Sequence, residues 1–341
     1  CQLVIREPKE IPIEVADGVS ETRSTNITWK VNDRLTTTVG EGGELRLEGE
    51  LRKGFLIKDG LGTLTLSNPD SSLFNGVLFR LGTLNFDYPE DGALADWMIT
   101  LDASAASDAL NLTSDRSVAI RDVGVAGTGV LRVSTASEIA LDIADGVLRR
   151  QTGRVYVEEG TFAVRGTGSS PANYSIALAS GEKGASVIIG QGGTGGGKTD
   201  HAGFLVDNVL FSGSFSLASN INASAVVDEA YIVVTNKGKV SGTVTLLECV
   251  GNNPKTSAKI WALLDNGTLS GSCEVKYHHL QTPPLITARN GSYLLGGWIF
   301  RGDADFLLDA STMAGDDKGT PIILGYYANW DYTNNFTFVF N

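Results

Sequence analysis

Three short segments spaced about 20 residues apart share one pattern: Gly43-Glu44-Leu45-Arg46-Leu47, Gly60-Leu61-Gly62-Thr63-Leu64-Thr65-Leu66 and Gly82-Thr83-Leu84-Asn85-Phe86. Each is a glycine followed by alternating apolar and polar residues, which is the period of a strand with one buried face. A unit of this length is too short to cover its own apolar face. Copies must therefore stack, each burying the next, as in a solenoid. No other feature restricts the fold as strongly.

Composition agrees. Glycine accounts for 41 of 341 residues, about an eighth against an ordinary ~7%. Thr, Val, Ser and Leu dominate, and only 19% of residues are charged. This predicts an all-β chain with many tight turns. The net charge is −12, and there is no basic run, so a phosphate backbone is excluded as partner. No stretch reaches the ~18 apolar residues of a membrane span. The first residues lack the basic start and apolar run of a signal peptide.

In chain order, residues 1–20 contain Pro8 and Pro12 and read as an N-terminal linker or cap strand. Residues 21–248 read as the solenoid. Its expected strands include 26–29, 35–39, 45–47, 51–58, 77–79, 97–101, 109–113, 139–143, 155–157, 186–189, 209–211, 215–217 and 230–234. Residues 93–112 are the most helix-permissive stretch, yet they lack a convincing cap and are read as strands. Later echoes start at Gly127, Gly160 and Gly242, and the wider interval from Gly129 to Gly160 implies a lengthened coil. Residues 249–341 lose the spacing and gather aromatics, among them Trp261, Trp298 and Trp330. They read as a C-terminal aromatic-rich β cap or a β-sandwich-like module. No series of ~10-residue alternating strands announces an outer-membrane barrel.

Lys58, Gly60, Gly62-Thr63-Leu64-Thr65-Leu66, Asn68, Phe74-Asn75-Gly76 and Gly82-Thr83-Leu84-Asn85-Phe86 follow one another in an order that resembles the autotransporter-associated β-strand repeat. The resemblance covers about residues 50–87. It implies a right-handed parallel β-helix on a secreted or surface-exposed bacterial protein.

Few residues carry recognisable chemistry. Gly192-Gly193-Thr194-Gly195-Gly196-Gly197-Lys198-Thr199 matches the phosphate-loop pattern, but Asp200-His201-Ala202-Gly203 is a poor helix start, so a glycine loop is expected. Arg301-Gly302-Asp303 is an integrin-type tripeptide, and seven N-x-[ST] sequons occur, including Asn266 and Asn290. Asp316-Asp317 reads as a polar turn rather than a glycosidase pair. His278 and His279 are adjacent in a strand-like run, where they point to opposite faces and cannot share a metal. Cys1 is a candidate lipidated cysteine, with a free thiol as the alternative. Cys249 and Cys273 are candidates for a disulfide, with two free buried thiols as the alternative.

No catalytic, cofactor or metal site is therefore expected. The expected role is a non-enzymatic extracellular or cell-surface structural protein, adhesin-like or self-assembling into a fibre. Its partners would be copies of itself or surface glycans and proteins. The strictly alternating Phe336, Phe338 and Phe340 mark a candidate assembly strand. The alternative reading is a carbohydrate-binding or polysaccharide-cleaving β-helix.

Overall fold

The structure is a computed structural model that describes residues 10–28, 33–71, 73, 76–91, 93–95, 99–101, 109–122, 126–178, 180, 182–190, 199–217, 227–246, 259–275, 284–296, 298–300, 304–309, 311–313, 322–324 and 336–340. The chain is all-β, with no helix among these residues. Every strand pairing among them is parallel. Parallel neighbours need a crossover of a dozen or more residues, usually a helix. Here the crossovers are strands of other sheets, so three long parallel sheets grow together.

The first sheet runs through Glu10–Val15, Arg34–Val39, Phe55–Asp59, Val77–Phe79 and Ile99–Leu101. A second run of the same chain order begins at Ala126–Thr128 and continues through Leu148–Thr152, Ala172–Ala177, Val209–Ser212, Lys239–Val240, Thr268–Leu269, Tyr293–Leu294 and Thr312–Met313. The second sheet contains Ser20–Arg23, Glu44–Leu47, Thr63–Leu66, Gly82–Phe86 and Ala109–Ser114, then the starts of Val130–Ile143 and Val155–Gly166. It goes on through Val187–Ile189, Phe215–Leu217, Val244–Leu246, Cys273–Val275, Trp298–Phe300 and Ile322–Leu324. The third contains Ala93–Ala95, Val118–Asp122, the ends of the two long strands, Thr199–Asp207, Val227–Thr235, Lys259–Asp265, Leu285–Arg289, Ala304–Leu308 and Phe336–Phe340.

One inward column shows what holds the stack. Leu45, Leu64, Leu84, Leu112, Val133, Val157, Ile189, Leu217 and Leu246 pair in sequence across the second sheet. All are buried. Removing each such side chain from water contributes about 1.5–3 kcal/mol. Nearer the middle the core becomes aromatic, with Phe204 packed edge-on to Phe162, Phe211 and Phe215 at 5.1–5.4 Å between centroids.

The repeated glycine has a specific cause at the corner between the first and second sheets. A Cβ on Gly242 would lie 1.6 Å from the Gly213 carbonyl oxygen, and one on Gly271 1.9 Å from that of Gly242. Each coil's corner backbone rests directly on the corner below, where only a hydrogen fits. At the opposite corner, from third sheet to first, Asn208, Asn236, Asn266 and Asn290 all take φ between 51° and 57°. Asparagine tolerates this left-handed turn conformation better than other side chains. The Asn236 and Asn290 amides also donate to Asp207 and Asp265 one coil earlier, at 2.8 and 2.6 Å. Asn266 and Asn290, which the sequence presents as sequons, are turn-formers here.

Lys58 is fully buried, in the inward column between Thr37 and Phe79. Its ammonium donates to the carbonyls of Asp59, Gly60 and Leu81, at 2.9, 2.7 and 2.9 Å, and so ties the corners of two coils together. Burial pushes its pKa down to about 8. Arg149 is likewise buried, and its Nη1 donates to the Ile99 carbonyl at 3.3 Å. This contact bridges the two runs of the first sheet.

Several sequence expectations need adjustment. The short, even spacing holds from Leu45 to Leu64 to Leu84, but the next step, to Leu112, is longer, and that from Val157 to Ile189 is longer again. In both steps most of the added residues fall between a first-sheet strand and the next second-sheet strand, from Leu101 to Leu110 and from Ala177 to Val187. Gly129 and Gly160 are not equivalent positions: Gly129 precedes the long strand Val130–Ile143, whereas Gly160 lies inside Val155–Gly166, opposite Ala202. The interval between them therefore does not measure a coil. The segment read as one strand at 51–58 is two, Leu51–Arg52 and Phe55–Asp59, belonging to different sheets. Glu10–Val15, within the expected linker or cap segment, is the first strand of the first sheet. The boundary expected near residue 249 falls outside the described residues. The strands on its two sides, Val227–Thr235 and Lys259–Asp265, pair directly in one register.

Candidate functional site

The third sheet presents three solvent-side columns. The alternating burial of Val227–Thr235 and Lys259–Asp265 turns Ile232, Val234, Ala262 and Leu264 inward and leaves Glu229, Tyr231, Val233, Trp261 and Leu263 outside. The column nearest the Asn corner runs Arg121, Asp142, Arg165, Asp207, Thr235, Asp265 and Arg289 in register. Opposite charges on neighbouring strands stabilise this register. Asp265 accepts from Arg289 at 2.7 and 2.9 Å and from Asn290, and these bonds, with the Asn290 bond leading, hold its carboxyl below its usual pKa. Asp142 goes the other way: burial raises it, partly offset by Arg165 and Arg121.

The middle column is aliphatic apart from Thr287: Ala163, Leu205, Val233, Leu263, Thr287 and Leu307. The next runs Thr161, Gly203, Tyr231, Trp261, Leu285 and Asp305. Here the rings are fixed. Tyr231 leans over Gly203, where an added Cβ would meet its ring at 2.0 Å, and its hydroxyl shares a 2.6 Å hydrogen bond with Thr161 two strands away. Trp261 stacks on Tyr231 with centroids 4.5 Å apart and planes 8° from parallel. The indole N–H donates to Glu229 Oε1 at 2.5 Å, and Lys259 Nζ lies 3.5 Å from the same oxygen. Burial raises the Tyr231 phenol, opposed by the Thr161 bond.

Because Trp261 leans toward Tyr231, a groove of about 450 Å³ opens on its other side, over the strands Lys259–Asp265, Leu285–Arg289 and Ala304–Leu308. Trp261, Leu263, Leu285 and Thr287 line it, with Glu229, Lys259, Arg289 and Asp305 around them. An aromatic wall with a few convergent polar groups is the usual make-up of a small-molecule site.

Few of the residues singled out in the sequence are among the described residues. Cys273 is a buried free thiol whose pKa burial pushes up, which makes it a core residue in its present state. Cys1, Cys249, Arg301-Gly302-Asp303, His278, His279 and Asp316-Asp317 lie outside the described residues. Of the phosphate-loop pattern only Thr199 is described. It opens the strand Thr199–Asp207, where that pattern needs a helix N-terminus. Phe336–Phe340 pairs with Ala304–Leu308, setting Phe338 opposite Phe306 and Phe340 opposite Leu308. Among the described residues no group of three or more His, Cys, Asp or Glu is placed to hold a metal ion, and no helix is long and apolar enough to cross a membrane. In the sequence Trp261 stands among the late aromatics, apart from Tyr231. The available signal was their separation along the chain, which equals that of the corner residues Asn236 and Asn266.

No family model, curated protein or solved structure matches the chain.

Proposed function

We propose that the chain is a right-handed parallel β-helix that serves as a non-catalytic structural protein outside the cell or on the bacterial cell surface, adhesin-like or fibre-forming. Right-handed is the hand that parallel crossovers almost always take. The observation that carries the reading is the mutual commitment of the outward polar groups, coil by coil. Thr65 donates to Glu44, Thr113 to Asn85, Arg165 to Glu138 and Arg289 to Asp265. These ladders hold register and keep the outward face soluble. The resemblance of residues 50–87 to the autotransporter-associated repeat supports the setting.

Fibre formation gains support from Phe336–Phe340, which is paired along one edge only among the described residues. An open edge can accept another strand. Electron microscopy of the purified chain tests the reading: elongated particles or filaments are expected, and compact isometric particles would refute it. If filaments form, deleting 335–341 should abolish them while far-UV circular dichroism stays unchanged. Filaments that survive the deletion would reject this strand as the donor.

A further inference from the structure

We propose that the groove beside Trp261 binds a neutral saccharide, a pyranose unit of a glycan chain. A pyranose has a face of C–H groups and a rim of hydroxyls, and the groove is built for both. One side of the indole is covered by Tyr231 at 4.5 Å, which leaves the rest of the ring to line the groove and receive the C–H face. The ring is held before any ligand arrives, by Glu229 on its N–H and by Tyr231, itself anchored to Thr161. Such preorganisation lowers the entropy lost on binding.

The charges around the groove select the ligand class. Glu229 and Asp305 oppose Lys259 and Arg289, so the lining carries no net charge on a chain of −12. A polyanion or polycation would meet an equal number of like charges. A purely apolar ligand would strip water from four charged groups without replacing their hydrogen bonds. Sugar hydroxyls can do both jobs, donating to the carboxylates and accepting from Lys259 and Arg289. Both contacts to Glu229 fall on Oε1, leaving Oε2 as an acceptor. Tyr231, Trp261, Leu285 and Asp305 sit on successive strands, about 4.8 Å apart. The site therefore extends along the stack and suits an oligosaccharide lying in that direction.

The inference goes beyond the structural role and does not rest on it, since a groove of this kind works whether or not the chain polymerises. The test is calorimetry and tryptophan fluorescence of the full chain with cellohexaose, chitohexaose, maltohexaose and xylohexaose, and with oligogalacturonate as the charged counterpart. At least one neutral hexasaccharide should bind. Trp261→Ala should weaken it by about tenfold or more. Leu285→Arg should do the same by filling the groove. It changes a residue that is 41% exposed, so it keeps the test valid should Trp261→Ala fail to fold. Binding of none of the neutral sugars, binding of oligogalacturonate alone, or neutral-sugar binding that survives Leu285→Arg would each overturn the proposal. Particle shape in the microscope should be the same for Leu285→Arg and the parent chain.

Discussion

On the second sheet, from Glu44 to Thr113, the outward side chains form polar columns: Thr65 donates to Glu44 at 2.9 Å and Thr113 to Asn85 at 2.8 Å. On the third sheet, from Thr161 to Leu307, the corresponding outward positions carry Tyr231, Trp261, Val233, Leu263 and Leu285. Both surfaces lie over the same kind of inward column of Leu, Val, Ile and Phe. The inward face decides whether coils stack, while the outward face is free to vary as long as its hydrogen bonds are satisfied. The polar columns satisfy themselves and leave little for a ligand. The third sheet leaves apolar surface beside charged groups, an arrangement that suits binding rather than folding.

This comparison can be broken most severely at the core. Leu64→Ala, beneath the polar columns, should cost about 2–5 kcal/mol, because the stacked neighbours Leu45 and Leu84 cannot collapse into the space. A urea midpoint close to that of the parent chain would show that the inward column does not hold the stack.

The second effect is a pH dependence at Lys58. Its folded-state pKa, about 8, lies below its ordinary value of 10.5, so its burial is fully unfavourable below about pH 8. Between about pH 8 and 10.5 the folded state sheds the proton first, and this group's contribution makes stability rise with pH. In urea titrations across that window, the parent chain should gain stability relative to Lys58→Met. Parallel profiles would mean that the three carbonyls, with their demand for three N–H donors, keep the ammonium charged despite burial.

The smallest effects belong to the outer columns. Asn85→Ala, which removes the 2.8 Å bond from Thr113 and a long 3.5 Å bond to Thr65, should cost only about 1 kcal/mol. Trp261→Ala should cost more than that through lost stacking on Tyr231, yet less than Leu64→Ala. If thermal melts reverse that order, the third-sheet rings are part of the fold rather than a surface laid on it.

How far the sequence could be read depended on which corner a residue occupies. Val77–Phe79 and Gly82–Phe86 were legible because alternation and a leading glycine mark a strand locally. The lengthened coils were not, because residues added at the corners between sheets leave the inward columns intact while destroying the spacing. The candidate site was illegible for a related reason. Tyr231 and Trp261 are far apart along the chain, and only the pairing of their strands makes them neighbours.

The sequence by itself determined that the chain is all-β, since short alternating strands led by glycine bury one face only against other strands. It also named the glycines, whose lack of a side chain is a local property. The tertiary structure alone decided which residues share a column. Register is a long-range choice, made by the packing of inward side chains across coils of unequal length. That choice placed an indole on a phenol beside four balancing charges, and it tied Lys58 to the carbonyls of two successive coils.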